Sequence, residues 1–201
     1  MLAAISVIGS GLAGEEGTKM ILIAITFHLA VLVLFKLGAF LVLALLETGG
    51  RGHRMEDLHG LGRKEPLIAG SMFLFMLSLA GVPPLSGFLS KLLMVNGIVS
   101  SSADTGSSSA TDVYSWMDTV DPVFWLAAAI VINSALSLFY YLRLSLVMFF
   151  EEPEKSPKIK SASSLRMAIM ACSILTVLCG IGPVSEWLVS LVSTSIDSLM
   201  G

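Results

Sequence analysis

The sequence predicts an all-α, polytopic transmembrane helix bundle with one discontinuous helix, and three observations carry that expectation. First, hydrophobic residues make up 55% of the 201 positions and charged residues only 13%, with a mean hydropathy of +0.85. An ordinary soluble domain holds roughly 45–50% apolar and about 25% charged residues. So little charge leaves too little polar surface to cover a globule in water, which argues against a soluble enzyme. Second, apolar runs recur at the length of about 20 residues that a helix needs to cross a bilayer. Third, one of those runs is interrupted at its centre by GVPPLSG (81–87). Net charge is −3 and the twelve Lys/Arg are scattered. No phosphate-tracking basic face exists, so nucleic acid is not an expected partner.

In chain order, the expectation is one transmembrane domain over 1–201. Residues 1–13 are too short to span about 30 Å and read as a helix tail; without a basic n-region they make a poor signal peptide. EEGTK (15–19) reads as a polar turn, and the first span follows over about 19–47. TGGRGHRMEDLHGLGRKEP (48–66) is a polar, glycine-punctuated loop. The next apolar stretch runs over 67–100 with a break at 81–87, and a Ser/Asp loop without Lys or Arg occupies 100–121. Spans over 122–150 and 164–196 complete the bundle, separated by the charged loop 151–163. Cys172 and Cys179, seven apart in one apolar run, are too far apart for a disulfide. Neither a CxxC nor a ligand cluster occurs, so no metal is expected.

Charge orients the spans. The three long loops hold four Lys/Arg (51, 54, 63, 64), none, and three (155, 158, 160). Positive-inside bias places loops 48–66 and 151–163 on the cytoplasmic side and loop 100–121 outside. That alternation needs 67–100 to cross once, as a broken helix. Two short spans over 67–82 and 85–100 are the alternative, and each would be short for an independent crossing. Tyr140, Tyr141 and Arg143 fall where interfacial anchors are expected.

The break is where chemistry is expected. Proline cannot donate an i→i−4 bond and its ring clashes with the preceding turn. Pro83 and Pro84, flanked by Gly81 and Gly87, therefore free backbone groups at mid-membrane, which are tolerated only inside protein or beside a wet cavity. A packing kink is the plainer reading of such prolines. Lys91, one turn past Gly87 and about ten residues from the next loop, is too deep to snorkel. Intramembrane cations usually face a bundle interior or a water-filled cavity. A lysine there is poised to exchange a proton when a neighbouring charge changes. Lys36 is a second deep cation, and His28, eight residues earlier, suits a proton relay; an interhelical hydrogen-bonded histidine is its structural alternative.

Four stretches in this order and spacing carry a resemblance: LGAF (37–40), EDLHGLGRKEP (56–66), LSLAGVPPLSGFLSK (77–91) and FYYLR (139–143). They resemble the C-terminal part of the antiporter-like N subunit of complex I-type NADH-quinone oxidoreductases, whose relatives include subunits of multisubunit Na⁺/H⁺ antiporters. The resemblance implies the second inverted repeat of an antiporter-like fold, with Lys91 as the proton-handling lysine of its discontinuous helix. His28 matches a histidine of the related L-type subunits. Lys36 departs from that pattern, one helical turn beyond a position held here by Leu32. The implied role is a proton-translocating membrane-arm subunit without redox chemistry of its own. No cofactor is implied in this chain; quinone and redox centres would lie in partner subunits. The implied partners are other membrane-arm subunits, including a first-repeat half, because family members carry two repeats and this chain matches one. A fragment, a split-gene product or a late start would each give such a chain. A Na⁺/H⁺ antiporter subunit and a non-pumping membrane scaffold are the rival readings.

Overall fold

The computed structural model describes residues 1–11, 14–50, 55–103, 122–150 and 162–200, and all regular structure among them is helical. Eight α-helices are described: α1 (Leu2–Gly9), α2 (Glu15–Thr48), α3 (Leu61–Lys64), α4 (Pro66–Ala80), α5 (Ser86–Ala103), α6 (Pro122–Phe150), α7 (Ser163–Leu178) and α8 (Pro183–Met200). A 3-10 turn at Met55–Leu58 precedes α3. Arg51, Arg54, Lys155, Lys158 and Lys160, which set the expected orientation, lie outside the described residues, as does most of loop 100–121.

The central helix is α2. Its 34 residues extend about 51 Å at 1.5 Å per residue, more than the thickness of a hydrocarbon core. The expected polar turn at EEGTK is instead its first turn. Glu15 and Glu16 sit there, where carboxylates oppose the positive end of the helix dipole. Buried positions follow a 3–4 spacing: Gly17, Ile21, Ala24, Val31, Phe35, Gly38, Val42 and Leu45. His28 falls in the gap of that stripe, between Ala24 and Val31. The stripe packs against α4, α5, α7 and α8, and its Phe35, with the neighbouring Phe27, joins Phe75 in the main core.

The run 67–100 forms two helices, of 15 and 18 residues, joined through Gly81–Leu85. They pair with successive parts of α2. The α4 side chain of Phe75 fills the space left by Gly38. Further along, Ser90 of α5 meets His28, and Gly97 packs on Ile21. The α2 partner number falls steadily from 38 to 21 as the chain advances from 75 to 97. Thus α4 and α5 run past α2 as one antiparallel, interrupted passage. On the opposite side α6 packs against both halves. Its Ser134 lies near Lys91, and its Phe149 stacks edge-on to Phe73 at 5.9 Å.

The expected final span over 164–196 is also interrupted. The helices α7 and α8 are bent by 83° across a four-residue break. Gly182 adopts a left-handed φ of +56°, and Pro183, lacking an amide hydrogen, opens α8 where none is needed. The physical cause was visible in Gly180, Gly182 and Pro183, but composition alone favours a continuous apolar run. This second passage starts beside α4, where Arg166 grips Glu65. Its far end is tied to α2 by an ion pair between Asp197 and Lys19.

The Glu65–Arg166 pair is bidentate, with Nη1–Oε2 at 2.9 Å and Nη2–Oε1 at 2.6 Å. Glu65 is the N-cap residue of α4, so the pair fixes the start of the first interrupted passage to the start of the second. Both groups keep some solvent contact, which holds the contribution to about 1 kcal/mol. Glu65→Gln is therefore expected to lower the thermal midpoint by about 2–4 °C. The loss should shrink at high salt as the exposed part of the attraction is screened. Differential scanning of the membrane-embedded protein at two ionic strengths checks both statements.

Candidate functional site: a lysine at a helix break

A helix leaves its last four carbonyls without intrahelical partners. At the end of α4 these belong to Leu77, Ser78, Leu79 and Ala80. Gly81, in the left-handed region at φ +85°, turns the chain so that its N–H donates to Leu77 at 3.0 Å and to Ser78 at 3.1 Å. The N–H of Val82 adds a second bond to Leu77 at 3.0 Å. The other two carbonyls are taken by a side chain. Lys91 Nζ donates to Leu79 at 2.9 Å and to Ala80 at 3.0 Å. The cation lies where the negative end of the helix dipole favours it. Gly81 also makes room for the lysine, since a Cβ built there would be 3.0 Å from Lys91 Cδ.

An ammonium has three N–H donors, and two are engaged by carbonyls. The lysine also lines a cavity of about 260 Å³ together with Gly81, Phe88, Val95, Ile130 and Ser134. That volume admits water, so the third N–H has an outlet. The Ser134 hydroxyl donates to the Ile130 carbonyl at 2.9 Å.

The start of α5 is polar and closed. Ser78, Ser86 and Ser90 are fully buried. Gly87 N–H donates to Ser78 Oγ at 3.2 Å, and the hydroxyls of Ser78 and Ser86 are 3.4 Å apart. Ser90 Oγ donates to the Gly87 carbonyl at 3.0 Å and lies 2.9 Å from His28 Nδ1. A serine hydroxyl has one proton to give. That proton can serve the Gly87 carbonyl, with Ser90 accepting from a protonated Nδ1, or go to an unprotonated Nδ1, so the direction of the His28–Ser90 bond follows the imidazole tautomer. The histidine is thereby joined to the break through a single serine.

Lys36 occupies a different place. Exposed on α2, it lines a cavity of about 360 Å³ with Phe40, Met72, Met76, Leu79 and Tyr141. Leu79 belongs to both sites: it borders the Lys36 cavity, and its carbonyl holds Lys91. Among the described residues, no carboxylate is within ion-pair distance of either lysine. The structure thus groups Lys91, Gly81, Gly87 and the Pro83–Pro84 turn tightly, attaches His28 through Ser90, and sets Lys36 across Leu79.

Sequence reasoning missed several members. The three serines stand inside the quoted LSLAGVPPLSGFLSK stretch, yet serine is common between membrane helices and carried no signal of its own. Tyr141, expected as an interfacial anchor, borders the Lys36 cavity. Glu65 read as part of a solvated loop, and only the fold brings it to Arg166.

Comparison with known proteins follows the same lines. Residues 3–117 match the family model described as NADH:quinone oxidoreductase/Mrp antiporter, TM. NADH-quinone oxidoreductase subunit N of Chloroflexus aggregans is 34% identical over 177 residues, covering 88% of this chain and 32% of that protein. Subunit N 2 of Aquifex aeolicus is 32% identical over 194 residues, covering 93% and 35%. The chain therefore spans about a third of the length of these relatives. Among solved structures, respiratory complex I from Thermus thermophilus with bound aureothin aligns with a TM-score of 0.58 and 29% identity, over 89% of this chain and 42% of that one. The Mrp complex from Dietzia shares the fold at a TM-score of 0.68 and 22% identity, over 94% and 39%. With its apolar helices, two of them long enough to cross a membrane singly, this is an integral, multi-pass membrane protein. It belongs to the transmembrane family shared by NADH:quinone oxidoreductases and Mrp antiporters.

Proposed function

We propose that this chain is a proton-translocating membrane-arm subunit of a complex I-type quinone oxidoreductase, with no redox chemistry of its own. The observation that carries the reading is Lys91, an ammonium held on two main-chain carbonyls at a helix break and bordering a cavity. A cation so placed can pass its proton to water and regain it when the local charge changes. His28 and Lys36 are proposed as the other proton-transfer groups, one reached through Ser90 and the other across Leu79. Electrons would move in partner subunits that hold the quinone and the redox centres, and other membrane-arm subunits would complete the path. The single interrupted passage of α4 and α5 supports placing loops 48–66 and 151–163 together on the cytoplasmic side.

A Na⁺/H⁺ antiporter subunit is the second reading, favoured by the fold shared with the Mrp complex. Carboxylates are the anionic oxygen ligands that favour a hard cation such as sodium, and no Asp or Glu occurs between residues 20 and 46, 67 and 99, or 122 and 150. Protons fit the residues better. In vesicles carrying the assembled complex, Lys91→Ala is expected to impair proton uptake coupled to quinone reduction while the complex still assembles. Normal proton uptake by the variant would overturn the proposal. Uptake that requires sodium in the wild type would favour the antiporter reading.

A further inference from the structure

The elbow between α7 and α8 meets the first helix break backbone to backbone. A Cβ built on Gly180 would lie 2.5 Å from both the Leu85 carbonyl carbon and the Ser86 nitrogen, and would overlap the Pro84 carbonyl oxygen. All three neighbours are main-chain atoms, which cannot swing aside as a side chain can. These atoms belong to the turn that sets the lysine. Ser86 opens α5 and shares the buried hydroxyl of Ser78, and Lys91 follows five residues later, gripping the end of α4. From the other side the turn is closed by Gly87, whose added Cβ would overlap the Ser78 carbonyl. The break is thus clasped between two glycine contacts, one from its own passage and one from the second. The elbow has its own fixings in the left-handed Gly182 and the rigid Pro183.

We propose that Gly180 is a positioning residue for Lys91. Through it the α7–α8 elbow seats the Pro84–Ser86 turn, and so fixes where the ammonium stands relative to the carbonyls of Leu79 and Ala80. Close-packed main chain transmits displacement rather than absorbing it. Movement of α7 and α8 therefore reaches the lysine directly. The inference rests on the proton-transfer reading for what Lys91 does, but not for the contact itself.

The test compares wild type, Gly180→Ala, Pro183→Ala and Gly70→Ala in membranes carrying the assembled complex. It reads amide hydrogen exchange of the 77–91 segment and protons moved per electron. Gly70 is a control on α4 with nothing within 4 Å of its built Cβ. Gly180→Ala is expected to speed exchange across 77–91 several-fold and to cut protons per electron by more than half. Electron transfer per assembled complex should be retained, and exchange in α6, away from the contact, should stay at the wild-type rate, which a general loss of structure would not allow. Pro183→Ala loosens the elbow without adding an atom at the contact, so it should speed exchange in the same segment. It carries the test if Gly180→Ala fails to accumulate. Unchanged exchange across 77–91 in the variant that accumulates would overturn the proposal, and so would an equal change in Gly70→Ala. Translocation that survives Lys91→Ala would remove the proton-transfer reading and leave the exchange result standing.

Discussion

Gly87→Ala is expected to deplete the folded protein from the membrane. The position is buried, and the added methyl would occupy the place of the Ser78 carbonyl oxygen. That oxygen cannot retreat, because it caps α4 by accepting from Gly81. Nor can α5 step back freely, since Gly87 N–H is held by Ser78 Oγ and Gly87 C=O by Ser90. Overpacking of this kind costs about 3 kcal/mol or more when the backbone must shift, a large share of a typical stability of about 5–15 kcal/mol. The amount of assembled protein in membranes, with its thermal inactivation midpoint, measures the effect. Wild-type abundance and midpoint would mean that the two halves do not close on each other as described.

Lys91→Arg is expected to separate the cap that the lysine provides for α4 from the proton transfer proposed for it. Arginine carries five N–H donors and stays protonated up to a pH of about 12. It can therefore cap Leu79 and Ala80 and keep the positive charge at the dipole end of α4, and the adjoining cavity gives its larger head room. It cannot release the proton. The variant should assemble, keep its stability to within about 1 kcal/mol, and still fail to move protons. If Lys91 were only a cap for two orphaned carbonyls, arginine would serve as well.

Much of this architecture was legible in the sequence because membrane solvation is unforgiving. Few residues can lie in hydrocarbon, so the apolar runs give α2 and α6, and two prolines in a third run give the first break. Lys91 and Lys36 stood out as charges with nowhere to snorkel. The turn expected at EEGTK was not a turn, because carboxylates favour the first turn of a helix as much as they favour a loop. The elbow at 179–182 was overridden for the opposite reason: Gly180, Gly182 and Pro183 stand in a run as apolar as a continuous span. Contacts made by atoms that every residue shares leave no sequence signal. The Leu79 and Ala80 carbonyls that hold Lys91 are of this kind, and so is the approach of Gly180 to the Pro84–Ser86 turn. The bond from Ser90 to His28 joins positions 62 apart, and only the antiparallel passage of α5 along α2 brings them together.

The central claim is that Lys91 gives up and regains a proton, and one ratio tests it most directly. Protons translocated per electron should be measured in vesicles for wild type and Lys91→Arg, with quinone reduction driving both. The predicted result is a ratio for the arginine variant that falls to below about a tenth of wild type, since a permanently protonated group cannot relay. Assembly and thermal stability should stay near wild type. A wild-type ratio in Lys91→Arg would contradict the claim and leave Lys91 as a helix cap.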